Sequence, residues 1–378
     1  MRPSSKNVRR GSRTLARYTE RDNGLSPADT GFFPVYRGTV REWGDRASAT
    51  GVKMRIVLEL ETRMHSGKPR IGIIGSGAIG GFYGLMLARA GFDVHFLLRS
   101  EYDVVRERGL SLDSAVHGAL HVPVQAYANA ADMPPCDWLL VGAKATSNAE
   151  LAPSIVQAAA ADAKVVLLQN GLGVEDQLRS TLPRSLHLLG GLCFICVNRQ
   201  APGVIRHQAL GAVNLGYHSG PASDGGAAIV GQGAGLFRAA GIDSQAMSNL
   251  GQARWQKLVW NVPYNGLSVL LQASTTALMS DPDSLELIRA LMAEVVQGAA
   301  ACGHVLPEGY AEHLLRITEQ MPDYWPSMYH DHAQRRPLEL EAIYAEPLAQ
   351  ARAAGCSLPR MEMLHQTLAF LDRANRPG

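Results

Sequence analysis

The sequence predicts an α/β domain built on a parallel sheet, followed by an all-α domain, and three observations carry that expectation. Residues 70–99 read strand, glycine turn, helix, strand. Short apolar runs and helical patterns then alternate to about residue 247, which argues for a parallel sheet covered on both faces. From about Ser248 the strand signal stops and helical periodicity alone remains. The expected organisation is an extension over 1–67, a dinucleotide-binding domain of Rossmann type over 68–247 and a helical domain over 248–378.

The first unit opens with an apolar run over 71–74 and the turn Gly75-Ser76-Gly77-Ala78-Ile79-Gly80. In such a turn the first glycine permits the bend, the second lets backbone approach a pyrophosphate, and the third lets helix pack on strand. A helical stretch over 82–90 follows, closed by Gly91. Its N-terminus offers free N–H groups and a partial positive charge to phosphates. The second strand, over 94–98, ends at Arg99. An NAD-preferring unit usually places Asp or Glu here to accept from the ribose 2′-hydroxyl. A guanidinium cannot accept, but it binds a 2′-phosphate bidentately. The expected cofactor is therefore NADPH, with Glu101 as the competing ribose ligand.

Composition sets the limits. The 378 residues are 46% apolar, enough for two or three domains with a sizeable core. A formal net charge of +2 gives no reason to expect nucleic acid. No apolar run is long enough to span a membrane. Five cysteines without framework spacing suggest reduced thiols and a cytoplasmic location. Cys193 and Cys196 lie in an apolar, strand-like run and read as core residues rather than as a metal or redox pair. In the extension, basic residues outnumber acidic ones and apolar periodicity is poor. Residues 2–21 resemble a transit peptide weakly. The composition favours a disordered tail or a start placed too far upstream, with Met54 or Met64 as the real one.

Downstream, residues 122–127 and 138–142 read as strands, the second ending near Lys144. A helix over 148–161 and a strand over 164–168 follow, entering Gln169-Asn170-Gly171-Leu172-Gly173. Ligands of such sheets sit beyond the carboxyl ends of the strands. The glycine turn, Arg99, Lys144 and Asn170 should therefore converge on one cleft. Strands over 188–197 and 212–217 come next, with 203–207 as a turn into another. A Gly-rich stretch then leads to a short helix ending near Gly241. Helices are expected over 251–273, 282–301, 307–321, 327–354 and 359–375.

The first of these helices carries a polar stripe. Lys257, Asn261, Asn265 and Ser268 are spaced four, four and three, which puts them on one face. Their neighbours are apolar nearly all round, so the helix should be buried. A buried stripe containing lysine needs partners or a ligand. A site is the expected use, and a network of helix-to-helix hydrogen bonds is the alternative. Pro263 removes one backbone donor within the stripe, and a kink there would shift Asn265 relative to Lys257.

With these motifs in place, residues 68–369 resemble the ketopantoate reductases (2-dehydropantoate 2-reductases). The resemblance rests on the glycine turn with Gly81, Leu98-Arg99, Val141-Gly142-Ala143-Lys144 and residues 169–173. It extends to Trp255-Gln256-Lys257-Leu258 with Asn261 and Asn265, and to Pro326-Ser327-Met328 followed by Glu339. It implies NADPH-dependent reduction of 2-dehydropantoate to (R)-pantoate, a step towards coenzyme A. The substrate is then a small 2-oxo acid, and the chain acts as a monomer or homodimer. By the same resemblance Arg99 and Lys144 help hold NADPH, Asn170 lies beside the nicotinamide and the substrate, and Lys257 is the catalytic lysine. Asn261, Asn265, Ser327 and Glu339 match substrate-side positions. The extension, the place of Pro263 and the His-rich segment 329–332 depart from the family pattern. His330 and His332 stand at i, i+2, poor ligand spacing on a helix, and no metal is expected.

Charge supplies the expected mechanism. Reduction of a ketone builds negative charge on its oxygen, and a cation aimed at that oxygen favours the transition state. Lys257 can do this and deliver the proton. Glu339, when ionised, can only accept, so it suits a substrate hydroxyl and a pairing with Lys257. Glu341 and Glu346 are its rivals. The competing functions are reduction of another bulky 2-oxo acid, of mandelate or isocaproate type, and a non-catalytic NADP(H) sensor. A sensor has no need of a proton donor.

Overall fold

The first strand of the chain lies third from one edge of a single sheet. In the computed structural model the described residues are 68–222 and 224–375, so the extension and its alternative start positions lie outside them. Strand β1 (Arg70–Ile74) leads into helix α1 (Ala78–Arg89) and strand β2 (Asp93–Leu97). Helix α2 (Tyr102–Arg108) precedes β3 (Leu110–Ser114), β4 (Gly118–Val122) and β5 (Gln125–Tyr127). Then come β6 (Cys136–Val141), α3 (Asn148–Ala158), β7 (Ala159–Leu167), α4 (Val174–Arg179) and the long strands β8 (His187–Ala201) and β9 (Val204–Ser219). Helix α5 (Ala227–Ala239) and β10 (Ala246–Met247) complete the α/β part.

These strands form one sheet in the order β4-β3-β9-β8-β7-β6-β1-β2-β5, with β10 beside β9. β1 pairs in parallel with β2 on one side and β6 on the other, so the chain reverses its direction of growth at β1. That reversal opens a crevice at the carboxyl ends of the strands. Period-two alternation fills both faces. Ile71, Ile73, Trp138 and Leu140 join a core with Phe82, Tyr83 and Phe237 of α1 and α5. Ile74, Leu139, Val141 and Val165 join another with Ile155 and Leu178 of α3 and α4.

Several sequence expectations need correction. The sheet is mixed, because β3–β4 and β8–β9 pair antiparallel. The expected strand over 122–127 is two pieces: Val122 ends the β3–β4 hairpin, and Pro123, which has no N–H to donate, separates it from β5. The helix expected over 148–161 stops at Ala158, and the next residues already belong to β7. Residues 203–207 do not lead to a separate strand. They enter β9, which runs on through the stretch expected at 212–217.

The helical part begins with α6 (Leu250–Leu271), whose N-terminus is capped by Asn249 Oδ1 accepting from Gln252 N at 2.9 Å. It continues with α7 (Thr275–Ser280), α8 (Pro282–Ala301) and α9 (Tyr310–Gln320). The helix expected over 327–354 is broken. Helix α10 (Ser327–Ala333) ends where Arg336 N turns back to Asp331 O, and Pro337 follows. A π-helical turn (Glu341–Ala345) then leads into α11 (Glu346–Ala353), and α12 (Pro359–Asn375) closes the fold. Helix α6 is surrounded: Trp255, Val259, Val262 and Tyr264 are fully buried among residues of α8, α10 and α12. It runs unbroken through Pro263. The same core takes in Leu172, Leu192 and Phe194 of the α/β part, so α6 packs directly on the sheet side of the cleft.

Candidate active site

One cavity of about 1480 Å³ lies between the strand ends and α6. Gly75, Ser76, Gly77, Ala78, Ile79, Arg99, Lys144 and Asn170 line one wall. Lys257, Asn261, Asn265, Ser327 and Glu339 line the other. Gly80 is the exception among the residues of the glycine turn. A Cβ there would stand 2.0 Å from Gly75 O, so Gly80 sets the contact of α1 with the turn and does not reach the cavity. Gly75 has φ +86, which L side chains rarely adopt. At Gly77 nothing lies within 4 Å of where a Cβ would project, so backbone is open to a ligand at the start of α1. No side chain caps that helix and its first turn holds no acid. The free N–H groups and the open cradle fit a pyrophosphate.

Arg99 stands at the rim, its side chain 78% exposed, with Nη1 3.4 Å from Glu150 Oε2. Glu101, the rival ribose ligand, is buried and committed elsewhere. It accepts from Arg199 Nη1 and, at 2.8 Å, from Gly203 N. Lys144 reaches across the cleft to Asp331 of α10. Burial pushes the Lys144 ammonium down, Glu339 pushes it back up, and Arg336 lowers it further. Asp331, 1% exposed, also accepts from Arg336 Nε at 3.0 Å. Sequence reasoning missed it, although Ser327 and Asp331 stand at i, i+4 on one helical face.

Lys257 Nζ donates to Cys193 O at 2.8 Å and lies over the Phe194 ring, 5.4 Å from its centroid. Burial pushes its pKa down to about 8; Cys193 and Glu339 push it up, and Arg254 pushes it down. The expected pairing with Glu339 is not made: among the described residues no ion pair within 4.0 Å joins the two, and the Cys193 carbonyl accepts the hydrogen bond from the ammonium instead. Glu339 is 5% exposed and acts on Lys257 and Lys144 through space. Its rivals Glu341 and Glu346 do not line the cavity. Asn261 is buried, and its Nδ2 has no hydrogen-bond partner among the described residues. An amide left unsatisfied beside a cavity is a donor waiting for an acceptor. Asn265 spends its Oδ1 on the start of α10, accepting from Met328 N at 3.3 Å and Ser327 Oγ at 3.5 Å. Ser268 turns back on Asn265 O at 3.0 Å and does not line the cavity.

A dinucleotide cradle facing a buried lysine and an open amide defines a nicotinamide-dependent oxidoreductase, and comparisons with known proteins agree. Residues 71–220 match the family model "Ketopantoate reductase PanE/ApbA", and 249–372 match its C-terminal counterpart. The chain belongs to the ketopantoate reductase family. It is 43% identical to a 2-dehydropantoate 2-reductase from Nostoc sp. over 81% of this chain and 96% of that one. Two crystal structures of 2-dehydropantoate 2-reductases are also similar. The one from Geobacter metallireducens has a TM-score of 0.74 at 37% identity, covering 81% of this chain and 99% of its own. The one from Methylococcus capsulatus has a TM-score of 0.72 at 34% identity, covering 82% and 98%.

Proposed function

We propose that this chain reduces 2-dehydropantoate to (R)-pantoate with NADPH, and that Lys257 is the general acid. The observation that carries the reading is Lys257 itself: an ammonium on the helical wall, held by one backbone carbonyl, with its pKa lowered to about 8. At neutral pH it remains a cation, yet it gives up a proton more readily than an ordinary lysine.

The glycine turn and the start of α1 hold the pyrophosphate, and Arg99 receives the 2′-phosphate. Commitment of Glu101 to Arg199 and Gly203 removes the acceptor an NAD ribose would want, which supports NADPH. Asn170 borders the nicotinamide. When bound, NADPH supplies a hydride to the carbonyl carbon of the substrate. Lys257 stabilises the charge that develops on the carbonyl oxygen and then protonates it. Asn261 donates to the substrate through Nδ2, with Asn265 and Ser327 beside it. Glu339 accepts from the substrate hydroxyl.

Its ligands are the cofactor and a small 2-oxo acid, and the chain works as a monomer or homodimer. Five free thiols support a cytoplasmic location. Among the described residues no helix is long and apolar enough to cross a membrane.

A panel of 2-oxo acids followed by NADPH absorbance tests the reading. The highest kcat/KM is expected with 2-dehydropantoate. A higher value with a mandelate- or isocaproate-type 2-oxo acid would overturn the substrate assignment, and no turnover with any of them would overturn the enzymatic one.

A further inference from the structure

We infer that Arg254 is a positioning residue for the reduction: it ties the Asn170 loop to α6 and so fixes the spacing between Asn170 and Lys257. The inference rests on the proposed roles of those two residues. Arg254 stands three residues before Lys257 on α6 and is 3% exposed. Its Nη1 donates to the carbonyl of Gln169, the residue before Asn170, and its Nη2 donates to Glu175 Oε1 at the start of α4. Glu175 is 4% exposed, so the ion pair is closed to water.

The loop it grips is already stiff. Gln169 Nε2 donates to Ala143 O at 2.9 Å and to Asn148 Oδ1 at 2.7 Å. On the far side of Asn170, Leu172 N donates to Ala342 O of the π-helical turn at 2.8 Å. Asn170 is therefore fixed between two contacts that both come from the helical part. The β8 strand leaves room for the pair through Gly190, where a Cβ would come within 2.5 Å of Glu175 Oε1 and 3.0 Å of Arg254 Nη2. One planar fork serves two acceptors here, which a lysine point charge cannot do. A break in this link moves the hydride side relative to the proton side, and small misplacements of reacting groups are costly in rate.

Arg254 also belongs to the electrostatic surroundings of Lys257. The groups facing that ammonium are Cys193 of β8, Glu339 ahead of the π-helical turn, and Arg254 on its own helix. Arg254 disfavours the charged lysine, so its removal raises the Lys257 pKa.

The test compares kcat, KM and the pH profile of kcat for Arg254→Lys, Arg254→Met with Glu175→Leu, and Lys257→Ala. The double variant leaves no unpaired buried charge, so it should fold. It is expected to bind NADPH as the parent does, to lose about 10- to 100-fold in kcat, and to move its alkaline limb to higher pH. Arg254→Lys should keep the limb in place with only part of the kcat. A double variant with parental kcat and an unmoved limb would overturn the inference. So would a fall in kcat with the limb unmoved, because a merely structural pair gives that result. Lys257→Ala separates the two readings. If it keeps its kcat, the general-acid assignment fails; if it is inactive beside an unchanged double variant, only the role of Arg254 fails.

Discussion

On the strand-end wall of the cleft, much of what faces the cavity is backbone. On the helical wall it is side chains. The first wall presents the turn at Gly75 to Gly77 and the open start of α1, both generated by a few adjacent residues. The second presents Lys257, Asn261, Ser327 and Glu339, drawn from two helices and a loop that together span more than eighty residues of sequence. Backbone recognition suits a ligand portion common to many enzymes, such as a pyrophosphate. Side-chain recognition suits the part of the chemistry that is peculiar to one. The two walls should therefore fail in different ways when altered.

The largest effect should come from the helical wall. Lys257→Ala removes the buried cation and, with it, the proton source proposed above. Acid–base help alone contributes about 10²–10⁴-fold, so kcat should fall at least about 100-fold. NADPH affinity, measured by fluorescence titration, should hardly change. Lys257→Arg should not rescue, since a guanidinium does not release its proton. On the strand-end wall, Arg99→Asp should weaken NADPH by about 10- to 150-fold, the loss of a charged hydrogen bond of about 1.5–3 kcal/mol. NADH should suffer far less, and equal losses for the two cofactors would contradict a 2′-phosphate site at Arg99.

The pH profile sharpens the contrast without mutation. Burial sets the Lys257 pKa at about 8, so the protonated acid is present below that value and is lost as pH rises through it. The kcat should decline on the alkaline side of about 8, while NADPH binding follows a different profile. The smallest effect should be that of Asn261→Ala. The loss of one neutral hydrogen bond, about 0.5–1.5 kcal/mol, should raise KM for the 2-oxo acid by about 2- to 10-fold. A change in NADPH affinity instead would place Asn261 on the wrong wall.

The strand-end wall was legible because local rules write it: a glycine at a left-handed bend and a glycine at a close contact are visible one by one. The stripe Lys257, Asn261 and Asn265 was legible for a similar reason, since helical periodicity puts all three on one face. What the sequence hid was set by distant partners. The β3–β4 hairpin has little alternation to announce it, and its exposed strand β4 carries mixed residues. The break after α10 depends on Arg336 N finding Asp331 O. The Lys257 bond to Cys193 O joins residues 64 positions apart, and no periodicity relates them. Arg254 could have been noticed as a charge in an apolar helix, but its partner Glu175 lies 79 positions away.

The π-helical turn at Glu341–Ala345 gives the site a dependence on counting. A turn of this kind accommodates one residue more than an α-helical turn. Glu339 stands two residues before it, and Leu348 and Ala351 beyond it are anchored in the helical core. Each residue of ordinary helix advances the chain by about 100°. The π turn takes up the rotation of its extra residue, so deletion of one residue within it would restore regular winding with Glu339 close to its present phase. What it would withdraw is the Ala342 carbonyl that holds Leu172. The extra residue thus serves the loop rather than the carboxylate: it aims a carbonyl at Leu172, and a single gap there would cost that contact where many changes of residue type would not.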